Sequence, residues 1–247
     1  MTIVLAAVDA TEAARAVLAT ATAIGEVMEA YTQALHVGDA PGVAEKYAHE
    51  FGVPMTLALG EPADEIVRMG ERADVALVVL GLHGVAGQHE PGHTARVVAT
   101  RLSKLVLVVP PDVPAHRPPL RVLFPLDGTH GVSDAMRPLI TAFLAAGFDV
   151  IAVHVFDRRT VPMFLDGAAD EEVWREEFLA EHCAELGIRL ETRPGPTVAS
   201  LLEVAAAEDV DVIALGWRQD LSPRRAAVVR EVLASADRPV ALVPLTS

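Results

Sequence analysis

The chain repeats itself. Leu5-Ala6-Ala7-Val8-Asp9-Ala10-Thr11 aligns with Leu123-Phe124-Pro125-Leu126-Asp127-Gly128-Thr129 at an offset of 118 residues, and His36-Val37 aligns with His154-Val155 at the same offset. Asp74-Val75 and Leu80-Gly81 align with Asp209-Val210 and Leu215-Gly216 at an offset of 135. The two offsets differ by 17 residues, which places an insertion in the second half around 157–170. So long a period signals duplicated domains rather than a solenoid of short repeats. Between the copies runs Pro110–Pro119, PPDVPAHRPP. Closely spaced prolines make an extended, stiff segment that suits neither helix nor sheet. The expected division is therefore a first domain at 1–110, a Pro-rich linker at 111–119 and a second domain at 120–247.

Within each copy, short apolar runs alternate with amphipathic segments. Val75–Leu80 is unbroken apolar chain, as a strand covered on both faces requires. Ile3–Val8, Ala30–Val37, Val53–Leu59 and Leu105–Val109 read as the other strands of the first half, and Arg121–Leu126, Asp149–Val155, Ile188–Thr192, Val210–Leu215 and Pro239–Val243 as those of the second. Helices are expected between them. Pro62, Asp64 and Glu65 mark one helix start. Val132, Met136, Leu139, Ile140 and Phe143 make an apolar stripe interrupted by Pro138, which predicts a kink or a later start. Strand–helix alternation predicts an α/β fold with parallel strands and right-handed crossovers. In such sheets ligands lie beyond the C-terminal strand ends, where the strand order reverses. Strands one and four of the first half end at Asp9 and Gly81, so one crevice is expected to hold both.

The segment after Leu80 carries the chemistry. Gly81, Gly84, Gly87 and Gly92 open the turn between a strand and a helix expected to start near Thr94. Converging peptide N–H groups in such a turn accept an anion. The net charge of −14 argues against a phosphate-neutralising nucleic-acid surface. Only 4% of residues are aromatic, so the core must be built from Ala, Val and Leu. The single cysteine, Cys183, excludes an internal disulfide and fits a reducing compartment, so a cytoplasmic location is expected. The opening MTIVLAAVDA has no basic leader, and no apolar run reaches the ~18 residues of a membrane span.

These residues resemble the universal stress protein family. AAVDAT, LHV, LGEPADEIV, ADVALVVLGLHG and the closing LVLVVP carry the resemblance in the first half, and LFPLDGT, VHV, DVDVIALGW and RPVALVP carry it in the second. The resemblance implies two tandem doubly wound domains. Each would be a five-stranded parallel sheet of strand order 3-2-1-4-5 with flanking helices, the pair packed as an intramolecular pseudo-dimer. A homodimer of such tandems is compatible with it. ATP-binding members carry Gly-x2-Gly, nine further residues, then Gly-Ser or Gly-Thr. Here Gly81 and Gly84 match the opening pair and Gly92 the third glycine, with seven residues between Gly84 and Gly92 and His93-Thr94 following. By resemblance Asp9 contacts ribose or base and Val37 offers backbone groups to adenine. Leu80, Gly81, Gly84, Gly92, His93 and Thr94 then frame ATP or another adenine nucleotide. In the second half Trp217-Arg218-Gln219 replaces the second glycine and Ala226-Ala227 stands at the Gly-Ser position, so a degenerate site is expected there.

The main reading is a stress-response adenine-nucleotide binding protein using its first domain. The rival is a regulatory module that binds a protein partner and no nucleotide. A nucleotide hydrolase or transferase is a third class, and it lacks a visible general base. There is no Gly-x4-Gly-Lys-Ser/Thr loop and no Gly-x-Ser-x-Gly elbow. Asp9 and Asp127 are read as caps of the following helices. His83, His89, Glu90 and His93 share one loop, but their spacing matches no standard metal signature. His36 and His154 are read as structural or ligand-adjacent.

Overall fold

The computed structural model describes residues 1–82, 92–113, 120–156, 168–183, 186–220, 222 and 226–245. In the first half the order is β1 (Ile3–Val8), α1 (Ala14–Val27), β2 (Tyr31–Val37), α2 (Val43–Glu50), β3 (Met55–Ala58), α3 (Pro62–Gly70), β4 (Val75–Gly81), α4 (His93–Arg101) and β5 (Leu105–Val109). The second half repeats it as β6 (Arg121–Pro125), α5 (His130–Ala145), β7 (Asp149–Phe156), α6 (Ala168–His182), β8 (Arg189–Pro194), α7 (Thr197–Ala207), β9 (Val212–Trp217), α8 (Ala227–Ser235) and β10 (Val240–Pro244). The proline-rich 114–119 and most of the expected insertion lie outside the described residues.

The ten strands among the described residues form one sheet, ordered β3-β2-β1-β4-β5-β10-β9-β6-β7-β8. Each half therefore has the order 3-2-1-4-5, with every pairing inside a half parallel. The halves meet edge to edge. β10 pairs antiparallel with β5, placing Val240 opposite Val108, Ala241 opposite Leu107 and Leu242 opposite Val106. Both central strands are buried, so the apolar run of β5 has found a partner rather than solvent.

Helices cover both faces. One apolar layer joins Ala14, Val17 and Ala21 of α1 and Tyr47 of α2 to Met136 and Ile140 of α5 and Phe178 of α6. The other joins Ile66 of α3 and Val98 of α4 to Val204 of α7 and Val232 of α8. Strand alternation sorts the side chains: Val4, Ala6 and Val8 face the first layer, while Ile3, Leu5 and Ala7 face the second.

Local chemistry explains the element ends. Glu61 accepts the Asp64 amide at 3.1 Å and so caps α3, with Pro62 in the first turn. Pro138 does not end α5, which runs unbroken through it; the proline is exposed, so the interruption falls on the solvent face. Gln219, just beyond β9, sits at φ +55 and donates from Nε2 to the Leu102 carbonyl at 2.6 Å. That hydrogen bond ties the second half to the C-terminal end of α4.

Candidate functional site

The strand order of the first half reverses between β1 and β4, and a cavity of about 360 Å³ opens there at the C-terminal strand ends. Its floor is Ala7 and Val8 of β1 with Asp9 just beyond, Leu35, His36 and Val37 of β2, and Leu80 and Gly81 of β4 with Leu82 just beyond. Ala13, Ala14 and Val17 of α1 wall one side, Pro62 and Ile66 of α3 the other. The start of α4 closes it with Gly92, His93, Thr94 and Ala95. Of the residues singled out from sequence, Asp9, Val37, Leu80, Gly81, Gly92, His93 and Thr94 all line this one cavity. Gly84 lies outside the described residues, as do His83, His89 and Glu90. Among the described residues no group of three or more His, Cys, Asp or Glu side chains is placed to hold a metal ion.

Two polar groups on the floor are held by the backbone. Asp9 Oδ1 accepts the Thr11 amide at 3.1 Å and the Thr11 hydroxyl at 2.6 Å. This is a turn two residues long, and α1 starts only at Ala14 with no side-chain cap. Asp9 thus shapes the exit from β1 instead of capping the helix as expected. His36 is buried and its Nδ1–H donates to the Val8 carbonyl at 3.1 Å, which locks the ring against the end of β1. At the far wall, Gly92 is non-helical and carries no side-chain cap. Its amide donates to Leu82 at 2.8 Å, while the first intrahelical bond runs from Arg96 to Gly92. The amides of His93, Thr94 and Ala95 therefore have no helical acceptor and stand at the cavity, at the positive end of α4.

Helix residues of this site were not anticipated from sequence. Ala13, Ala14 and Val17 belong to an Ala-rich helix whose cavity-facing side no periodicity reveals. Pro62 and Ile66 read as helix start and core.

The second half keeps the backbone devices and fills the space above them. Asp127 Oδ1 accepts the Thr129 amide at 2.9 Å and its hydroxyl at 2.7 Å, and His154 Nδ1–H donates to the Leu126 carbonyl at 2.8 Å. The His154 ring, however, packs against Phe156, Trp174 and Phe178 at centroid distances of 4.8, 5.6 and 4.9 Å. Burial there holds its imidazole below the usual histidine range. The stack continues from Phe178 to His182 at 4.4 Å and on to His130 at 5.3 Å. Near Gly216 a Cβ would meet Met136 Sδ at 3.0 Å and Leu245 Cδ2 at 3.1 Å. Trp217 is buried where the first half has Leu82.

Residues 120–244, just over half of the chain, match the family model described as the universal stress protein family. Among solved structures, a universal stress protein from Archaeoglobus fulgidus is 17% identical with a TM-score of 0.61, covering 99% of this chain and 97% of its own. A putative universal stress protein from Pseudomonas aeruginosa is 15% identical with a TM-score of 0.68, covering 99% of this chain and 93% of its own. At these identities the likeness speaks for the fold, and it extends over both halves. Among curated protein sequences nothing matches the chain significantly. Among the described residues no helix is long and apolar enough to cross a membrane. With the matched half repeating the strand order and the backbone turns of the other, the chain belongs to the universal stress protein family.

Proposed function

We propose that the first half, residues 1–110, binds an adenine nucleotide in the crevice between β1 and β4, as a stress-response protein of the cytoplasm, and that the second half, 120–247, serves as its structural partner. The observation that carries this reading is convergence. Asp9, Val37, Leu80, Gly81, Gly92, His93 and Thr94 come from four separate stretches of the first half and line one cavity. Its composition suits the ligand: apolar walls for a flat base, a carboxylate for ribose hydroxyls, and helix-start amides that have no acceptor inside α4 for phosphate oxygens.

Titration calorimetry of the full chain with adenine nucleotides should give one site per chain. Asp9→Ala should weaken binding about tenfold or more, as loss of a charged hydrogen-bond acceptor does. No heat from any adenine nucleotide at millimolar concentration would remove the reading.

The rival, a module acting through protein contacts, draws support from the seven-residue gap between Gly84 and Gly92, two short of the ATP-binding pattern, and from the second half. There Trp174, Phe178, Met136 and Leu245 pack over the positions that matter in the first. We assign that half the role of a scaffold, with its contact surface being the β5–β10 joint.

A further inference from the structure

We infer that the free edge of the sheet at β3 is a docking surface for a second copy of this chain, joined antiparallel through Met55, Thr56 and Leu57. β3 and β8 are the two outer strands. β8 is guarded: Arg189 and Arg193 both reach Glu191, at 3.3 and 3.2 Å, and the strand ends in Pro194. β3 has no such device. From Val53 to Gly60 the chain carries no charge. Leu57 is 55% exposed and Leu59 76%.

Which backbone groups are open follows from the pairing with β2. Pro54 and Ala58 turn their carbonyls inward, accepting the Ala34 and Gly38 amides at 2.9 and 2.8 Å. Alternate residues of a strand bond to opposite sides, so the amides and carbonyls of Met55 and Leu57 point to the open side. Pro54 blocks nothing there, because its missing N–H falls on the inner side.

This edge fits its own copy. With Thr56 set on a two-fold axis opposite Thr56 of the second copy, Met55 faces Leu57 of the second copy and Leu57 faces its Met55. Each such pair exchanges two main-chain hydrogen bonds. Met55 packs on the layer of α1 and α2, and Leu57 shares its face, so both apolar pairs lie on that face. On the other face Gln33 Nε2 donates to Thr56 Oγ1 at 2.9 Å, which leaves the threonine's own proton for Thr56 of the second copy. The chain already makes a joint of this size, since β5 and β10 meet antiparallel over three positions. An edge without charge holds nothing to select a charged foreign segment, whereas it complements itself. The net charge of −14 on each copy opposes the union and keeps it weak.

The test is sedimentation velocity on the full chain between about 5 and 500 µM, in roughly 0.05 and 0.5 M salt. The dimer should grow in with concentration and be severalfold tighter at the higher salt, because screening relieves repulsion. Leu57→Pro removes one outward amide and no bond to β2. Leu57→Lys keeps that amide and sets an ammonium opposite a methionine. Each should weaken dimerisation at least about tenfold, with far-UV circular dichroism unchanged. A parent chain that stays monomeric at about 500 µM in both salts overturns the inference. So does a dimer that either folded variant retains, because it uses another surface, or one that loosens as salt rises, because charges hold it.

Discussion

Gln219 makes the contact between the halves that is easiest to isolate. Its Nε2 donates to the Leu102 carbonyl at 2.6 Å and lies 3.4 Å from the Ala99 carbonyl, so it closes the C-terminal end of α4 from the other half of the chain. To do so it holds a left-handed backbone, φ +55, which a side chain bearing a Cβ adopts at a cost of about 1 kcal/mol. Gln219→Ala removes the hydrogen bond, about 1 kcal/mol, and leaves a partly buried helix-end carbonyl unpaired, so the total loss should be about 1–2 kcal/mol. Gln219→Gly loses the same bond but relieves the backbone, and should recover about 1 kcal/mol of it. Urea unfolding followed by circular dichroism reads both. With a slope near 3 kcal/mol per molar, the alanine variant should shift the midpoint down by about 0.5 M, and the glycine variant by less than half of that. If alanine leaves the midpoint within about 0.1 M of the parent, the hydrogen bond does not hold the halves together. If alanine and glycine behave alike, the backbone is not strained.

Two further outcomes follow from the second half. Burial lowers the folded pKa of His154 below its unfolded value, so the unfolded chain takes up the proton first. Stability should therefore be full above about pH 6.5 and fall as pH drops through the folded value. His154→Asn retains a donor for the Leu126 carbonyl and should flatten that decline between neutral and mildly acid pH in urea titrations; an unchanged slope refutes the assignment. Cys183 is buried, with its thiol pushed up to about 11, so at pH 8 only about one molecule in a thousand carries thiolate. A thiol reagent should leave the native chain unmodified over minutes and titrate one group in urea. Fast native labelling would contradict the packing of α6.

The parts of the fold that were legible in the sequence are those where one local signal decides. Leu105–Val109 is five apolar residues with no competing pattern, and β5 spans the same residues. Pro62, Asp64 and Glu65 announce α3 because capping is a local affair. β9 was misplaced because Gly216 reads as a turn, whereas the strand continues to Trp217 with Met136 and Leu245 packed over the missing Cβ. Pro138 suggested a kink or a later start, yet α5 already begins at His130, ahead of the apolar stripe, and carries the exposed proline inside it. At the cavity, Asp9, Gly81 and Gly92 were legible since strand ends and glycine turns mark the mouth of such a sheet. Val17 and Ile66 were not, because which flank of a helix meets a crevice depends on how the helix lies on the sheet. Gln219 reaches a carbonyl 117 residues away, and no window of sequence carries that.

The pairing of β5 with β10 has a consequence for how this chain can change. Two separate copies would need to find each other, and their union would loosen on dilution. Here the segment between β5 and β6 keeps the two edges in each other's neighbourhood at any protein level. The second copy is thereby released from ligand duty without being released from service. It can give up its second and third glycines, with Trp217-Arg218-Gln219 and Ala226-Ala227 in their place, and still shield an apolar strand that would otherwise recruit strangers.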